Sequence, residues 1–341
     1  VITSPNIVSK KWIYEQYDHE VGVRTVIKPG YGDSAVLRLL TDGYEGIAVK
    51  GDGNPRYTYI DPFKGAANVV AECFRNLIAV GSRPIAIVDE INAGNPEKPT
   101  HYWYFTQMVK GIAWMAYELR LPVVGGKVSF YNEDLSTGKS IKPTTTIVGI
   151  GVIDDVRKSM TIGFKDVDDV VIVVGTTYPE LGGSEYLYRH YGLECGEIPT
   201  PRPLSEYING TFVNKLISLG IAKAVHDIDI GGLAIAVSEM SIQSLKGVMV
   251  DLSKVPTRGC SRFDEIIFSE TQARYLVEVS KENLGKVLEL ADTYGVDVSI
   301  IGKVTNSNDI VFTYESKELL RVNVNKLSQL YEDTLNFLIE G

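Results

Sequence analysis

Acidic residues stand beside glycines at the ends of several β-branched runs, where carboxylates are placed to hold a metal ion. Three turn-dense segments, residues 51–62 (GDGNPRYTYIDP), 89–99 (DEINAGNPEKP) and 122–133 (PVVGGKVSFYNE), each adjoin such a run. Turns at sheet ends supply flexible backbone, and Mg²⁺ prefers oxygen ligands. A single carboxylate in such a turn is more often a turn former or a solvated group, so the prediction concerns the set. Its members are Asp33, Asp52, Asp61, Asp89, Glu90, Asp227 and Asp229.

The two common nucleotide-binding motifs do not occur in the chain. There is no GxxxxGK[ST] loop, and no GxGxxG opens a helix after a strand. A nucleotide would therefore need carboxylate–metal bridges and backbone amides. Residues 181–186 (LGGSEY) have paired glycines and a serine before a helix. This pattern suits a phosphate at the helix N-terminus and equally an ordinary helix start capped by the serine.

Two of the four histidines stand in settings that suit a general base. His226 lies in residues 224–233 (AVHDIDIGGL), between a short strand and a Gly-Gly turn, and His19 follows Asp18 among aromatic residues. A neighbouring carboxylate tunes a histidine for proton transfer. A lone histidine beside a strand is more often structural, however, and adjacent residues need not face each other. His101 and His190 lack such a setting and are expected to be incidental.

Helical and extended patterns alternate along the chain, which predicts an α/β (α+β) fold in two domains, residues 1–155 and 156–341. The expected strands of the first domain are 33–40, 46–49, 84–88, 121–124 and 144–153, with a turn at 41–43 (TDG) and helices at 64–80 and 101–120. The second domain is expected to have strands at 169–174, 273–279, 296–304 and 310–314, and a short strand near 224. Its expected helices are 184–191, 211–219, 232–244, 281–294 and 325–339. The strand at 169–174 is continuously apolar, which indicates burial on both faces.

Composition excludes several classes of protein. The 341 residues are 44% apolar and 23% charged, enough for a well-packed core. A net charge of -9 without a basic run argues against a nucleic-acid partner. No apolar run approaches the ~20 residues of a membrane span, and Cys73, Cys195 and Cys260 lack metal spacing, so we expect reduced thiols, a cytoplasmic location and no membrane partner. Because the first residue is Val1, we expect a processed product or a piece of a longer chain.

The chain resembles the synthetase subunits of phosphoribosylformylglycinamidine synthase, in the aminoimidazole ribonucleotide synthetase-like superfamily. The resemblance covers most of the chain in the family's order. It rests on the runs SPNIVSKKWIYEQYDHEVG, PGYGDSAVLR, GDGNPRYTYIDPFKGAANVVAE, NAGNPEKP, PVVGGKVSFYNE, GFKDVDDVVIVVG, ELGGSEY, HDIDIGGLA and FSETQARYLV.

The resemblance implies that the chain is the second half of a tandem duplication. Each half in the family holds an N-domain, whose mixed sheet pairs with another to close a barrel, followed by an α/β C-domain. No segment resembles the EHCSYK-like run of the first half, which carries the family's catalytic histidine. His19 does not inherit that role, so no catalytic residue is expected in this half.

The family's reaction belongs to purine biosynthesis. It converts formylglycinamide ribonucleotide, ATP and glutamine-derived ammonia into formylglycinamidine ribonucleotide, ADP and phosphate. Phosphorylation of the formamide oxygen would create the leaving group that ammonia displaces. The rate enhancement would then come mainly from positioning of the substrates and neutralisation of charge. The resemblance implies ATP and Mg²⁺ as cofactors. The implied partners are the N-terminal half of the same subunit, a glutaminase subunit and a small bridging subunit.

By motif, Asp89 and Gly126 correspond to the family's ATP contacts and Ser129 to a substrate contact. Lys127 stands where the family usually has an asparagine that binds magnesium. An ammonium cannot bind a cation, so the alternative is that Lys127 binds phosphate directly. Asp229-Ile230 stands where the family tends to have Ser-Asp, which is expected to weaken any auxiliary nucleotide site in this half.

Three functions stay open at this point. The first is the C-terminal half of an ATP-dependent C–N ligase, formylglycinamidine ribonucleotide synthetase, expected to be inactive alone. The second is a non-catalytic structural half that holds an inert nucleotide. The third is a stand-alone ATP-dependent kinase or synthetase of the superfamily. The GNPEKP and VSFYNE segments argue against it, because they resemble segments of the purine enzyme. An isolated chain is expected to form a homodimer or to expose an adhesive sheet edge.

Overall fold

The computed structural model describes residues 1–40 and 42–340. Thr41, the first residue of the expected turn, and Gly341, the last residue of the second expected domain, lie outside the described residues. Among the described residues, none of the helices combines the length and the hydropathy that a membrane span requires.

The first sheet has six strands in the order β1-β2-β3-β6-β4-β5. They are β1 (Thr25–Ile27), β2 (Ala35–Arg38), β3 (Gly46–Gly53), β4 (Arg83–Asn92), β5 (Val123–Ser129) and β6 (Thr144–Ile153). β4 and β5 run parallel, whereas the other neighbours are antiparallel. The helices of this part are α1 (Lys11–Tyr14), α2 (Pro55–Ile60), α3 (Pro62–Ala79) and α4 (Pro99–Glu118).

The second sheet has seven strands in the order β13-β12-β9-β11-β7-β10-β8. They are β7 (Val170–Val174), β8 (Ala222–Asp227), β9 (Gly247–Asp251), β10 (Tyr275–Val279), β11 (Val298–Thr305), β12 (Asp309–Tyr314) and β13 (Lys317–Asn323). Its helices are α5 (Glu185–Tyr191), α6 (Pro203–Ser218), α7 (Gly232–Ser244), α8 (Phe263–Phe268), α9 (Leu284–Tyr294) and α10 (Val324–Glu340). Short 3₁₀ helices cover Val21–Val23, Val156–Lys158, Leu252–Lys254 and Lys281–Asn283.

Two hydrophobic cores meet at β7, whose five residues are all buried. Val170, Ile172 and Val174 pack into a core that also contains side chains of α3, α4 and α6, between the two sheets. Val171 and Val173 point the other way, into a core formed with α7, α8 and α10. Each such side chain contributes about 1.5–3 kcal/mol by its burial. The expected burial of this strand on both faces is therefore confirmed.

The helix α3 connects the two halves of the fold. Asp61 caps its N-terminus by accepting a hydrogen bond from the Lys64 N–H at 3.0 Å, and Pro62 occupies its first position. The helix packs on β3, β4 and β6 on one side and on α6 and β8 on the other. Asp61, expected as a member of the acidic set, is thus a helix cap.

The expected α/β class is confirmed, but the three turn-dense segments are more regular than expected. Residues 51–53 complete β3, and Pro55–Ile60 form α2, capped by Asn54, which accepts a hydrogen bond from the Tyr57 N–H at 3.1 Å. The Gly-Gly pair of residues 125–126 lies inside β5, because the parallel ladder with β4 pairs its backbone. Helix α6 begins at Pro203, eight residues before the expected start. Several short elements were not expected from the sequence, namely α1, α2, α8, β1, β9 and β13. The division at residue 155 stays a prediction.

Candidate functional site

The predicted site residues separate into two places in the fold. One group surrounds a cavity where the first sheet, α3 and the end of β8 meet. Its members are Asp33, Asp52, Asp227 and Asp229. The other group lies on β4 and β5 at the edge of the first sheet and comprises Asp89, Glu90, Gly126, Lys127 and Ser129.

The cavity has a volume of about 400 Å³ and is strongly acidic. Besides the four aspartates, Glu72 of α3 and Glu239 of α7 contribute to its wall. Lys50 and Arg75 partly compensate these charges. The Lys50 ammonium lies 3.3 Å from Asp52 Oδ1, and the Arg75 guanidinium lies 3.6 Å from Asp227 Oδ2 and 3.8 Å from Asp229 Oδ1.

His226 is held between two carboxylates beside this cavity. Its Nδ1 lies 2.6 Å from Asp33 Oδ1, and its Nε2 lies 3.0 Å from Glu239 Oε2. The second oxygen of Asp33 accepts a hydrogen bond from the Asp227 N–H at 3.0 Å. Burial opposes protonation of the imidazole, but the charges and hydrogen bonds of Asp33 and Glu239 outweigh it and raise the pKa of His226. In this state both ring nitrogens are engaged and the imidazole is a cation, so a metal ion would bind His226 only by displacing a ring proton.

Two carboxyl groups of the cavity have raised pKa values, so they hold a proton more tightly than they would in water. Burial, followed by the charge of Asp33, raises the pKa of Asp227 to about 8. Burial and the neighbouring Asp229 raise the pKa of Glu72 well above its usual range. Both effects arise because acidic groups face each other away from water.

These residues fit a divalent cation. One ligand atom each of Asp33, His226 and Asp227 lies within 4.8 Å of the others, and all three residues are buried. Asp227 Oδ2 is shielded from solvent and has no hydrogen-bond partner among the described residues. Carboxylate oxygens with one imidazole nitrogen form an ordinary donor set for such an ion.

The second place is the exposed edge of the first sheet, where motif residues sit on paired positions. Asp89 pairs with Gly126, Glu90 with Lys127, and Asn92 with Ser129. Because side chains alternate along a strand, Lys127 and Ser129 share one face of the sheet, and Asp89 lies on the opposite face. The Lys127 ammonium lies 3.8 Å from Glu90 Oε1, and both side chains are exposed, so this ion pair adds little stability.

Gly126 and Asp89 are in direct contact across the ladder. A Cβ at Gly126 would collide with the Asp89 carboxylate, so only glycine lets that carboxylate lie over the β5 backbone. Burial raises the pKa of Asp89. The β5 backbone at Gly126 is therefore exposed beside the Asp89 carboxylate. This carboxylate can accept a hydrogen bond from a ligand that lies against the strand.

The Ser129 hydroxyl is fixed by the loop that follows β5. The Asn132 amide donates to Ser129 Oγ at 3.2 Å and to the Ser129 carbonyl at 2.9 Å. The same amide donates to the Ala93 carbonyl at 3.1 Å, which fastens this loop to the end of β4. Ser129 is therefore held in a defined position.

The remaining predicted residues lie outside both places. Ser184 accepts a hydrogen bond from the Leu187 N–H at 3.2 Å, as an ordinary helix cap does in the LGGSEY segment. His19 packs edge-on against Tyr14, and His190 stacks on Tyr186. His101, expected to be incidental, lies beside Glu133, with 3.4 Å between Nδ1 and Oε1.

Sequence reasoning missed several cavity residues that α3 contributes. Glu72, Arg75 and Asn76 are spaced i, i+3 and i+4, so they share one face of a largely apolar helix; Glu72 and Asn76 line the cavity, and Arg75 lies beside it. Arg75 is fully buried and donates to Glu206 Oε1 at 2.6 Å, and Asn76 donates to Asp52 Oδ2 at 3.2 Å. Polar residues at helical spacing inside an apolar helix were the signal that would have found them.

Two family models match the chain in the order of its two sheets. The N-terminal domain of AIR synthase related proteins matches residues 31–153, and the C-terminal domain of AIR synthase related proteins matches residues 166–315. The chain belongs to the AIR synthase related family. Both sheets of the AIR synthase fold thus lie largely within the matched residues.

Relatives within this family carry the name predicted from the motifs. The chain is 48% identical to phosphoribosylformylglycinamidine synthase subunit PurL of Caldivirga maquilingensis, over 99% of this chain and 47% of that protein. It is 43% identical to the PurL subunit of Thermococcus sibiricus, over 100% of this chain and 46% of that protein. The resemblance to these synthetase subunits is confirmed, and the chain spans about half of their length.

Solved structures of the AIR synthase fold superimpose on the chain. PurL of Thermotoga maritima complexed with ATP aligns with a TM-score of 0.74 at 22% identity, over 87% of this chain and 46% of that chain. The same enzyme complexed with FGAR gives a TM-score of 0.75 at 22% identity, over 87% and 48%. A HypE–HypF complex also aligns, with a TM-score of 0.63 at 18% identity, over 86% of this chain and 92% of that chain. At these identities the likeness establishes the fold.

Proposed function

We propose that the chain is the C-terminal half of a formylglycinamidine ribonucleotide synthetase. In this proposal it lends ATP and substrate contacts to a site that an N-terminal half completes. The overall reaction is the ATP-dependent conversion of formylglycinamide ribonucleotide and ammonia to formylglycinamidine ribonucleotide, ADP and phosphate. The 48% and 43% identities to PurL subunits support this function over that of a stand-alone kinase of the same superfamily.

The observation that carries the proposal is the exposed edge formed by β4 and β5. Asp89 and Gly126 lie on one face of this edge, and Lys127 and Ser129 lie on the other. The first six residues of the edge strand β5 are exposed, so ligands that contact both sets would reach around this strand. A lone half leaves these groups open to water. A second half packed against this edge would exclude water from them, which strengthens every polar contact to a ligand.

Each residue has a proposed task in that site. The Asp89 carboxylate accepts a hydrogen bond from ATP, and Gly126 allows close approach of the nucleotide to the β5 backbone. The Ser129 hydroxyl, oriented by Asn132, binds formylglycinamide ribonucleotide. ATP, when bound, supplies the phosphoryl group that activates the formamide oxygen. The chain's own residues position the two substrates for that transfer.

The positive charge of Lys127 has a proposed role in nucleotide binding. We propose that its ammonium binds the nucleotide phosphates and replaces part of the charge of a magnesium ion. Its exposed position beside Glu90 supports this, because the side chain is free to turn toward a ligand. Nucleotide affinity is then expected to be insensitive to a chelator, and Lys127→Asn is expected to make it depend on Mg²⁺. Full affinity in Lys127→Ala would contradict the role.

The proposed partners follow from the same assignment. They are the N-terminal half of the subunit, a glutaminase subunit that supplies ammonia, and a small bridging subunit. A T. maritima structure of PurLQS gives a TM-score of 0.72 with this chain at 22% identity, over 88% of this chain and 46% of that chain. The cytoplasmic location expected from the cysteines stays a prediction.

A reconstitution assay tests the proposed function. The chain is mixed with a separately produced N-terminal half, ammonia, ATP and formylglycinamide ribonucleotide, and phosphate release is measured. We expect release only when both halves are present, and a loss of at least tenfold in Ser129→Ala. Ser253→Ala, a serine that hydrogen-bonds Asp251 elsewhere on the surface, is the matched control. No release from two folded halves would leave the non-catalytic structural function.

The acidic cavity supports a second function for this half. We propose that it binds a divalent cation, with or without a nucleotide, through Asp33, Asp227 and His226. The support is Asp227 Oδ2, which is shielded and accepts no hydrogen bond, although the Arg75 guanidinium lies 3.6 Å away, and which lies beside two further donors. Addition of Mg²⁺ or Mn²⁺ is expected to raise the melting temperature of the chain, and Asp227→Asn to abolish that rise. Asp292→Asn, on the exposed side of α9, is the control, and a rise that persists in Asp227→Asn would contradict the site.

A further inference from the structure

Two loops at the end of the first sheet are joined by hydrogen bonds beside Ser129. They are the β4–α4 loop, residues 93–98, and the β5–β6 loop, residues 130–143. The Ala93 N–H donates to the Ser129 carbonyl at 2.9 Å, and the Asn132 N–H donates to the Ala93 carbonyl at 3.2 Å. Because these bonds connect the β4–α4 loop to the end of β5 and to the loop after it, the position of Ser129 depends on both loops.

The backbone of the β5–β6 loop is strained two residues after Ser129. Tyr131 has a φ of 60°, a left-handed conformation that is rare for a residue with a bulky side chain. Its N–H donates to the Gly94 carbonyl at 3.3 Å, and its carbonyl accepts from the Glu133 N–H at 2.9 Å. A conformation of this kind persists only where the surrounding structure holds it. The turn at Tyr131 therefore depends on contacts with the β4–α4 loop.

The Glu133 carboxylate makes a second connection between the two loops. Its Oε1 accepts hydrogen bonds from the Asn95 N–H at 3.1 Å and from the Lys98 ammonium at 2.9 Å, and its Oε2 accepts from the same ammonium at 3.0 Å. The hydrogen bonds from Lys98 and Asn95 lower the pKa of Glu133, so the carboxylate stays ionised at neutral pH. Hydrogen bonds to an ionised acceptor are stronger than those between neutral groups. Neither proposed function uses this carboxylate.

We propose that Glu133 is a positioning residue for the substrate contact at Ser129. Its carboxylate holds the β4–α4 loop against the β5–β6 loop. The Asn132 amide, which lies between the loops, thereby keeps its hydrogen bonds to the Ala93 carbonyl at 3.1 Å and to Ser129 Oγ at 3.2 Å. The inference rests on the ligase function proposed above and deepens it, because the orientation of the Ser129 hydroxyl then sets the affinity for formylglycinamide ribonucleotide.

A double-variant experiment in the reconstituted protein tests this role. Glu133→Ala is expected to raise the KM for formylglycinamide ribonucleotide about fivefold or more and to change kcat less than about twofold, because it loosens a contact to bound substrate. In a Ser129→Ala background the same substitution is expected to raise that KM no further, since the hydroxyl that it positions is absent. An equal rise in both backgrounds, or an unchanged KM in Glu133→Ala, would overturn the proposal.

Control variants separate positioning from a general loss of structure. Glu133→Gln keeps an oxygen that can accept from the Asn95 N–H, so it should retain most of the substrate affinity that Glu133→Ala loses. Glu97→Ala is the matched control, because Glu97 is an exposed glutamate of the β4–α4 loop whose hydrogen bond, to Asn95 Oδ1, comes from its backbone N–H. The KM for ATP should stay unchanged in Glu133→Ala, because Asp89 and Gly126 lie on the other face of the sheet. A parallel rise of the KM for ATP would overturn the proposal.

Hydrogen exchange of the backbone amides in the isolated chain tests the same connection without catalysis. Glu133→Ala is expected to speed exchange of the Asn95 and Asn132 amides about tenfold or more, because the first loses its acceptor and the second loses the support of the β4–α4 loop. Glu97→Ala should leave the exchange of the Asn132 amide unchanged. Unaltered exchange at Asn132 in Glu133→Ala would overturn the proposal. Absence of phosphate release from the two unchanged halves would instead refute the ligase function, so the two failures are distinguishable.

Discussion

At the scale of single residues, Gly126 offers a sharp test of the exposed edge. Gly126→Ala forces a Cβ into the Asp89 carboxylate and must displace it, although the strand backbone accepts alanine. We expect ATP affinity in the reconstituted protein to fall about tenfold or more, with the melting temperature little changed. Isothermal titration with ATP measures the first and thermal unfolding the second.

The neighbouring glycine provides the control for that substitution. A Cβ at Gly125 would lie at an ordinary 3.5 Å from Val88 Cγ1, so Gly125→Ala creates no collision. If both alanine variants bind ATP as the unchanged protein does, the contact between Asp89 and the nucleotide is refuted. If both variants lose ATP affinity equally, the loss comes from a general change in strand β5, and the contact between Asp89 and ATP is again refuted.

Residue types alone identified some of the candidate site residues but could not place them. Asp33, Asp52, Asp227 and Asp229 surround one cavity, whereas Asp89 and Glu90 lie elsewhere. This separation is set by the sheet order, in which β6 stands between β3 and β4. Local sequence pattern indicates which residues lie near strand ends, but long-range pairing decides how far a strand extends and which strands become neighbours.

At the scale of elements, α3 is joined to α6 by a buried ion pair. Arg75 and Glu206 are both fully buried, and Arg75 also approaches Asp227. Arg75→Met leaves these carboxyl groups buried without their cation, so we expect the free energy of unfolding to fall by about 3–5 kcal/mol. Urea unfolding followed by circular dichroism measures the change.

Two further variants serve as controls for the Arg75→Met experiment: one removes a surface ion pair, and the other is a double variant of the buried pair. Arg157→Met removes an exposed arginine that pairs with Asp155, and its cost is expected to stay below about 1 kcal/mol. Glu206→Gln in the Arg75→Met background removes one uncompensated charge and is expected to restore part of the stability. A single Arg75→Met variant as stable as the unchanged chain would contradict the buried pair.

The strand β10 carries a carboxyl group that links stability to pH. Glu278 is fully buried and accepts hydrogen bonds from the Lys165 N–H at 2.8 Å and the Asp166 N–H at 2.9 Å. Burial raises its pKa to about 7, although these two hydrogen bonds oppose the rise. An unfolded glutamate titrates near ~4.3, so the folded state binds the proton more tightly. Stability from this group is full at low pH and is lost as the pH rises toward about 7.

Glu278→Gln isolates this contribution. Between pH 5 and 7 the unchanged chain is expected to lose up to about 1.4 kcal/mol per pH unit from this group, and the variant is expected to lack that slope. Urea unfolding at several pH values measures the difference. Glu289→Gln, on the exposed side of α9, should keep the slope of the unchanged chain. Parallel pH profiles for the unchanged chain and Glu278→Gln would contradict the prediction.

The local sequence pattern predicted secondary structure best where the tertiary packing favours the same element. Within the expected strand 169–174, residues 170–174 are β-branched and apolar and form β7 in the middle of the second sheet. The expected strand at 121–124 stops before the two adjacent glycines of the turn-dense segment, yet residues 123–129 form β5. The hydrogen bonds of β4 hold that backbone extended despite its weak strand propensity. Such a tertiary cause is not visible in a local window.

At the scale of the whole molecule, one face of the first sheet has no cover within the described residues. Cross-strand pairs Ile47–Val152, Val49–Ile150 and Val88–Val148 share this outer face, whereas alternate residues such as Ile147 are buried toward α3. Val88 is 38% and Val148 40% exposed. An apolar stripe of this kind on a folded chain indicates an interface. The proposed occupants are the sheet of an N-terminal half or, in its absence, a second copy of this chain.

Sedimentation distinguishes this arrangement from a chain that is complete alone. We expect the isolated chain to associate as a dimer at micromolar concentration and to form a one-to-one complex when an N-terminal half is added. Val148→Lys places a charge at the centre of the apolar stripe, where burial without a partner is costly, and should weaken both associations at least tenfold. Val167→Lys is the matched control, because Val167 is also 40% exposed but lies outside the first sheet. If the chain sediments as a monodisperse monomer and does not bind the N-terminal half, the proposed interface is refuted, and with it the shared site at β4 and β5.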